Sequence, residues 1–399
     1  MRYTVFIADL LIYIPALCLY IYISNKCENS KILLTSLSIL LYPGLMLIDH
    51  GHFHLGLALW GILALFSDHD ILGSVAFTLS LCYKQMELYH AWPFFCYLLG
   101  KCYHNKKNRL LKLINIALSV IATFAVCFSP FLQRKEDILQ VFHRLFPFAR
   151  GLYEDKVANI WCSLSVLIKL KEIFSLQSLL LLCLVCTVFS LLPSGLNLIR
   201  NPTFLKFKLA LANSSLVFFL LSFQVHEKSI LLAALPVCLL LPDYPFVSFW
   251  FLMISTFSMF PLFVKDDLVL HYFSTLLLFY VVVGITFNLT PNQPSKNQFL
   301  PWIYPLLPYM LVLSLAGCLL LNVASLVVIP PPDKPDLFSV LIAIYSCIHF
   351  VLFLTYFNYV QFTVNSHTGK SSSEKSSQQT SPKKSIQIPA NNNRKIKKQ

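Results

Sequence analysis

The stretch that decides the architecture of this chain reads Phe223-Gln224-Val225-His226-Glu227-Lys228-Ser229-Ile230-Leu231-Leu232. Three consecutive ionisable residues, His226, Glu227 and Lys228, stand between two strongly apolar runs. A charge at membrane depth costs about 2.5–3.5 kcal/mol on insertion scales, so such residues usually face a cavity or serve a function. The alternative is a short polar turn between two membrane-spanning helices, and the stretch alone does not decide between the two.

The composition is that of an integral membrane protein. Of its 399 residues 57% are hydrophobic and only 12% are charged, whereas a soluble domain carries about 25% charged residues. The twelve cysteines are scattered and form neither a disulfide framework nor a metal cluster. Cys183 and Cys186 have CxxC spacing, but they lie in a continuous apolar run, which favours a packing role.

The positive charge is concentrated at the carboxyl terminus. Beyond Asn365 the chain has eight basic residues and a single acid, Glu374, in a background of Ser, Gln and Asn. This composition predicts a disordered cytosolic tail over 363–399, following a membrane domain over 1–362. We expect no nucleic-acid partner for such a tail. The final Lys395-Ile396-Lys397-Lys398-Gln399 resembles a dilysine retrieval signal of the endoplasmic reticulum.

Apolar runs predict the fold class. We expect an all-α polytopic membrane protein, a multispan helical bundle with about thirteen transmembrane segments. Four of the runs are shorter than the ~20 residues that a crossing helix needs. The predicted segments are 3–24, 32–48, 53–66, 71–83, 91–100, 110–131, 175–195, 207–223, 229–242, 245–264, 268–287, 303–328 and 337–362.

Basic residues in short loops predict the orientation. The acid-free loop from Lys101 to Arg109, the loop from Arg200 to Lys208 and the tail indicate the cytosolic side. Alternation through the segments then places every unusual polar cluster on the opposite side of the membrane, which favours one composite site. These clusters are 49–54, 84–90, 132–160, 223–228, 265–267 and 330–336.

One predicted loop has the residues for a phosphate site. Arg144 and Arg150 bracket a turn rich in proline and aromatic residues. The planar guanidinium binds phosphate oxygens in a bidentate manner, which would suit a lipid phosphate close to the membrane. Alternatively, the two arginines form surface ion pairs with the acids of the same loop, which are Glu136, Asp137, Glu154 and Asp155.

Two shorter motifs complete the set of candidates. Lys84, Glu87 and His90 are spaced three residues apart, so on a helix they would share one face, where paired charges suit a sugar. A solvated helix end is the alternative. Asp49 and His50 open a histidine-dense stretch, but the glycine at position 51 breaks helical spacing. We therefore predict no metal site there.

Together the motifs resemble those of a known family. The dinucleotide, P-loop, HExxH and nucleophile-elbow patterns are absent, so an activated substrate would be membrane-borne. From Met1 to about Phe357 the chain is similar to the dolichyl-phosphate-glucose α-1,3-glucosyltransferases of N-glycan assembly. The residues of the stretches that start at Tyr83 and Arg150 are most similar to those of the family members that add the first glucose to Man9GlcNAc2 on dolichyl diphosphate. The motifs that carry the resemblance are 47–53, 83–90, 144–147, 150–161 and 223–232.

The resemblance implies a fold, a reaction and site residues. It implies a GT-C-type enzyme of the endoplasmic reticulum membrane with lumenal loops forming the site, a cytosolic tail and an inverting reaction. The donor would be dolichyl phosphate glucose and the acceptor the lipid-linked oligosaccharide, in contact with membrane lipids and with no cofactor. The residues implied in substrate binding are His226, Glu227 and Lys228 at the donor phosphate, Arg144 and Arg150 as phosphate contacts, Lys84, Glu87 and His90 in the cavity, and Asp49 and His50.

The chain departs from the family pattern at its start. Family members have an earlier span and a lumenal loop that carries the acid expected as general base, so we expect a truncated chain whose catalytic base is unknown. The residues after His52-Phe53 also differ from the family's Gln-Tyr-Asn. Three alternatives stay open: the second glucosyltransferase, which acts on Glc1Man9GlcNAc2, an inactive truncated product, and a multispan transporter. The sequons at Asn213 and Asn288 are expected to be unused, because one lies in a span and the other in the cytosol.

Overall fold

The computed structural model is helical throughout the part of the chain that it describes. The described residues are 7, 9–24, 29–48, 53–131, 133–145, 156–289 and 304–364. Their α-helices, labelled α1 to α18 in chain order, are Ile14–Ser24, Asn29–Leu40, Pro43–Ile48, Phe53–Phe66, Asp70–Tyr83, Leu88–His104, Arg109–Phe128, Lys135–Leu145, Ile160–Ser165, Leu170–Ile173, Leu176–Arg200, Phe204–Leu221, Ile230–Leu240, Pro245–Ser258, Phe260–Lys265, Val269–Thr286, Leu307–Val327 and Leu337–Thr363. Short turns of 3-10 helix precede α6 and α13, at Gln85–Glu87 and Glu227–Ser229.

Where the structure describes them, the apolar runs predicted as segments are largely helical, which confirms the all-α class for the described residues. The run predicted over 337–362 is α18, Leu337–Thr363. The run over 32–48 is two helices rather than one, because Pro43 disfavours helical backbone in the residue before it. Among the described residues, six helical segments are long and apolar enough to cross a membrane, and they are Arg109–Phe131, Leu176–Arg200, Phe204–Leu221, Val269–Thr286, Leu307–Val327 and Leu337–Thr363.

Helices α12 and α13 form the centre of the bundle. Every residue of α13 is buried, and its sequence is apolar on all sides, as is typical of a helix enclosed by protein. Helix α12 packs against α6, α11, α13 and α18. The stretch 223–232 connects these two helices, so both ends of the stretch are held by well-buried helices.

Helix direction defines two ends of the bundle. Helix α5 runs from Asp70 to Tyr83 and α6 returns from Leu88 to His104, so the two ends lie about 20 Å apart at ~1.5 Å per residue. We call the end where α5 stops and α6 starts the site end, and the other the far end. At the far end Asp70 accepts from Lys101 at 2.6 Å and pairs with Lys112 at 2.5 Å.

A second ion pair lies near the start of α12. Lys208, whose side chain is buried, pairs with Asp243 in the turn that follows α13. Its ammonium group also donates to the carbonyl oxygen of Leu239 at 3.2 Å. A buried ammonium needs such partners, because an unpaired charge in this position would cost several kcal/mol, on the order of its desolvation penalty.

The loop predicted over 132–160 contains a helix that the search for apolar runs missed. Helix α8, Lys135–Leu145, starts with Glu136 and Asp137 and ends with His143 and Arg144. Acids in the first turn and bases in the last turn complement the helix dipole. Its apolar residues recur at helical spacing on one side only, so the run is too short and too polar to be recognised as a span.

Asn213 of the first sequon is enclosed within α12. Its side chain is 1% exposed and donates to Oε1 of Gln361 in α18 at 2.8 Å. Gln361 in turn accepts from Ser194 of α11, so one amide links three helices. This burial gives a physical reason for the expectation that the Asn213 sequon is unused.

Candidate active site

Two stretches far apart in the sequence meet at the site end. Nδ1 of His90 lies 2.7 Å from Oε2 of Glu87, and Nε2 of the same ring lies 2.9 Å from the carbonyl oxygen of Leu232. Glu87 and His90 are 0% and 1% exposed. The contact joins the turn between α5 and α6 to the start of α13, which places Lys84 beside the polar stretch at 226–228.

The hydrogen bonds define where the protons lie. A carbonyl oxygen can only accept, so Nε2 of His90 carries a hydrogen and donates to Leu232. Nδ1 and Glu87 therefore share one proton, either as carboxylate and imidazolium or as carboxyl and neutral imidazole. Both arrangements are neutral overall, which explains how two ionisable groups can be buried together.

Lys84 and Lys228 form the electrostatic feature of the site. Burial lowers the pKa of Lys84, the neighbouring carboxylate of Glu87 opposes this shift, and the charge of Lys228 adds a smaller lowering. The two ammonium groups carry the same charge and repel each other, and a neighbouring negative charge reduces that repulsion, as Glu87 does here.

The backbone before His226 is strained. Gln224 has φ of 57°, and it is one of three described non-glycine residues with a positive φ, beside Asp68 and Asp267. Aspartate adopts this left-handed conformation fairly often, whereas glutamine does so rarely, and such a residue costs about 1–3 kcal/mol. The strained residue directs the chain into a 3-10 turn at Glu227–Ser229, which leaves His226 and Lys228 exposed.

A third motif packs against the same end of α12. Nε1 of Trp161 in α9 donates to the carbonyl oxygen of Leu221 at 2.8 Å, two residues before Phe223. Asn159 caps α9 by accepting from the amide of Cys162 at 2.8 Å. Trp161 clusters with Leu170, Leu179 and Cys183, so this cysteine of the CxxC pair has the packing role expected of it.

The structure brings some predicted site residues together and leaves others apart. Lys84, Glu87 and His90 meet the stretch that carries His226, Glu227 and Lys228. Arg144 is exposed in the last turn of α8, and no hydrogen bond or ion pair among the described residues joins it to either stretch. Asp49, His50 and Arg150 lie outside the described residues.

Sequence reasoning missed three features of the site. The burial of Glu87 and His90 makes them a clamp on the backbone of Leu232, where we expected sugar contacts on a helix face. The anchoring role of Trp161 and the positive φ of Gln224 were also not foreseen. A tryptophan two residues after an Asn cap was the only sequence signal for the anchor. The residue type of Gln224 gives no signal for the strained backbone.

The chain is similar to proteins of one enzyme family. A family model described as "ALG6, ALG8 glycosyltransferase family" matches residues 1–356. A dolichyl pyrophosphate Man9GlcNAc2 alpha-1,3-glucosyltransferase of Gallus gallus is 50% identical over 90% of this chain and 75% of the relative. A probable enzyme of the same name in Drosophila melanogaster is 42% identical, over 91% and 76%. The corresponding probable enzyme of Arabidopsis thaliana is 38% identical, over 94% and 72%.

Proposed function

The chain belongs to the ALG6, ALG8 glycosyltransferase family, and from this premise we propose that it transfers glucose in α-1,3 linkage to Man9GlcNAc2 on dolichyl pyrophosphate. Relatives that carry this activity in their names are up to 50% identical over nine-tenths of the chain. The observation that supports the proposal best is the meeting of the stretches 83–90 and 223–232, because it brings Lys84 near Lys228, two residues that the family resemblance had singled out.

The donor we propose is dolichyl phosphate glucose. In the transfer an acceptor hydroxyl oxygen forms a bond to C1 of glucose, and the bond between C1 and the phosphate oxygen breaks. The hydroxyl proton passes to a base, and dolichyl phosphate leaves with one more negative charge than it had in the donor. Lys84 and Lys228 would stabilise this charge as it develops, which lowers the barrier more than it lowers the energy of the bound donor.

We also propose the setting in which the reaction occurs. The thirteen predicted segments would cross the endoplasmic reticulum membrane, with the site end facing the lumen and the tail over 363–399 in the cytosol. The helix directions support one part of this arrangement. Lys101 and Lys112 lie at the far end, opposite Lys84 and Lys228, in agreement with a cytosolic loop at 101–109.

The choice of acceptor tests the proposed reaction. Purified chain is supplied with dolichyl phosphate glucose and with one of two acceptors, Man9GlcNAc2 or Glc1Man9GlcNAc2 on the same short polyprenyl diphosphate. We expect a product one hexose heavier from the first acceptor only, detected by mass spectrometry of the released glycan. Transfer to the second acceptor only would assign the second glucosyltransfer instead, and export of substrate without transfer would indicate a transporter.

His226 is expected to contribute to donor binding and not to the stability of the fold. Because its side chain is exposed, His226→Ala should leave expression intact. If its ring donates to the phosphate, the loss should lower glucose transfer by roughly ten-fold or more, since hydrogen bonds to charged groups contribute about 1.5–3 kcal/mol. The matched control is His69→Ala, which removes an exposed histidine at the far end. Equal activity of the two variants would remove His226 from the site.

The lowered pKa of Lys84 predicts how donor binding depends on pH. A lysine with a depressed pKa loses its charge at a lower pH than an ordinary lysine, so an anion bound to it is released earlier as the pH rises. We expect KM for the donor to increase in the alkaline range, before ordinary lysines titrate. Lys84→Arg should move this increase to higher pH, because the guanidinium stays charged. An identical pH profile for both proteins would show that Lys84 does not bind the donor.

A further inference from the structure

A groove opens between α5 and α7 at the far end, away from the candidate active site. Its volume is about 650 Å³, within the ~300–1,000 Å³ typical of ligand sites. It lies where Asp70 pairs with Lys112, and α5 places this point about 20 Å from Lys84 at ~1.5 Å per residue. The glucosyl transfer proposed above does not use this groove.

The groove has polar residues at its helix ends and mostly apolar residues elsewhere. Asn105, Asn108 and Lys112 line it near the ends of the helices, where Leu72 and Leu111 also contribute, and Val75 and Ile116 line it further along together with Asn115. Leu72 of α5 is 60% exposed and Leu111 of α7 is 58% exposed. A ligand that fits these walls has a polar headgroup and an apolar chain, as a membrane lipid has.

The charges around the groove select the kind of headgroup. The segments 67–70 and 101–112 contain five lysines and arginines against two aspartates. Both aspartates form ion pairs at 2.5–2.8 Å. Asp68 pairs with Lys101, and Asp70 pairs with Lys101 and Lys112. Lys106, Lys107 and Arg109 are exposed in the segment between the lining residues Asn105 and Leu111, which we call the rim, and no ion pair within the described part of the chain involves them.

We propose that this groove binds an anionic glycerophospholipid, with its phosphate against the rim at Lys106 and Lys107 and an acyl chain between α5 and α7. Basic rims between helices attract anionic headgroups at a membrane surface. Asn105 and Asn108 supply amide donors and acceptors for the headgroup. The lipid would contact both α5 and α7, so lipid binding would stabilise the packing of α5 against α7. Lys84 directly follows the other end of α5.

A fluorescence experiment tests the site in the full chain. Leu72→Trp places a reporter in the groove, and Leu184→Trp places one on α11 at a similarly exposed position, 61% exposed, as the matched control. Each protein is reconstituted in phosphatidylcholine vesicles that contain a minor fraction of either brominated phosphatidylglycerol or brominated phosphatidylcholine. We expect Leu72→Trp to be quenched more strongly by the anionic lipid, and Leu184→Trp to be quenched equally by both.

Charge removal completes the test. Adding Lys107→Gln to Leu72→Trp should reduce the enrichment of phosphatidylglycerol about five-fold, the equivalent of about 1 kcal/mol per basic residue at an anionic surface. Equal quenching of Leu72→Trp by the two lipids would overturn the proposal. Displacement of the brominated lipid by inorganic phosphate alone would overturn it as well, because the site would then recognise a free anion. Neither outcome depends on glucose transfer, so the proposed function is tested separately.

Discussion

Glu87→Ala is expected to lower the free energy of unfolding by about 3–5 kcal/mol, because it leaves His90 buried without its charge partner. The carboxylate and the imidazole are both enclosed and share one proton across 2.7 Å. Glu87→Gln retains a side chain of the same shape with a polar group toward Nδ1, so its cost should be only about 1 kcal/mol. Thermal and denaturant unfolding of the detergent-solubilised protein measures both changes.

An exposed glutamate supplies the control for this prediction. Glu172 pairs with Lys169 at the surface, where its side chain is 68% exposed. Removing one partner of such a pair changes stability by about 0–1 kcal/mol. If Glu87→Ala and Glu172→Ala were equally stable, the Glu87–His90 pair would not hold the turn between α5 and α6 in place. The position of Lys84 in that turn would then need another explanation.

Removing either lysine of the site should lower kcat/KM for the donor by roughly 10- to 150-fold, since a hydrogen bond to a charged group contributes about 1.5–3 kcal/mol. The predicted variants are Lys84→Gln and Lys228→Gln, measured with saturating acceptor and varied donor. Lys169→Gln, which removes a lysine whose side chain is 75% exposed at the surface, is the matched control and should transfer glucose at the normal rate. Normal rates for both site variants would exclude a shared role of the lysines in donor binding.

Much of the fold could be predicted from the sequence, because apolar runs set the positions of helices directly. Helix α18 begins at residue 337 and ends one residue beyond the predicted segment. The helix α8 could not be found in this way, since a one-sided apolar pattern in an otherwise polar loop does not stand out in a search for spans. The predicted boundary of the tail stays a prediction, because residues 365–399 lie outside the described residues.

The sequence predicted that two stretches of the candidate site belong together, but not which contacts join them; the substrate-binding roles of their residues stay predictions. Charged residues between apolar runs singled out Lys84, Glu87, His90 and 226–228, and the structure brings them together. The sequence could not show that His90 would bond to the backbone of Leu232, since that contact spans 142 positions and involves a carbonyl group that every residue has. The spacing of Glu87 and His90 fits a pair of sugar contacts and a buried ion pair equally well.

A double-mutant cycle on Lys84 and Lys228 tests the central claim, that the two stretches build one anion site for the lipid phosphate. The measurement is kcat/KM for dolichyl phosphate glucose in the wild type, Lys84→Gln, Lys228→Gln and the double variant. Groups that share a ligand show coupling of about 0.5–3 kcal/mol. We predict that the fold-loss of kcat/KM in the double variant is smaller than the product of the two single fold-losses. Once one lysine is removed, the phosphate is held less well by the other, so removing the second lysine costs less. Independent losses that multiply, within about 0.3–0.5 kcal/mol, would contradict the account.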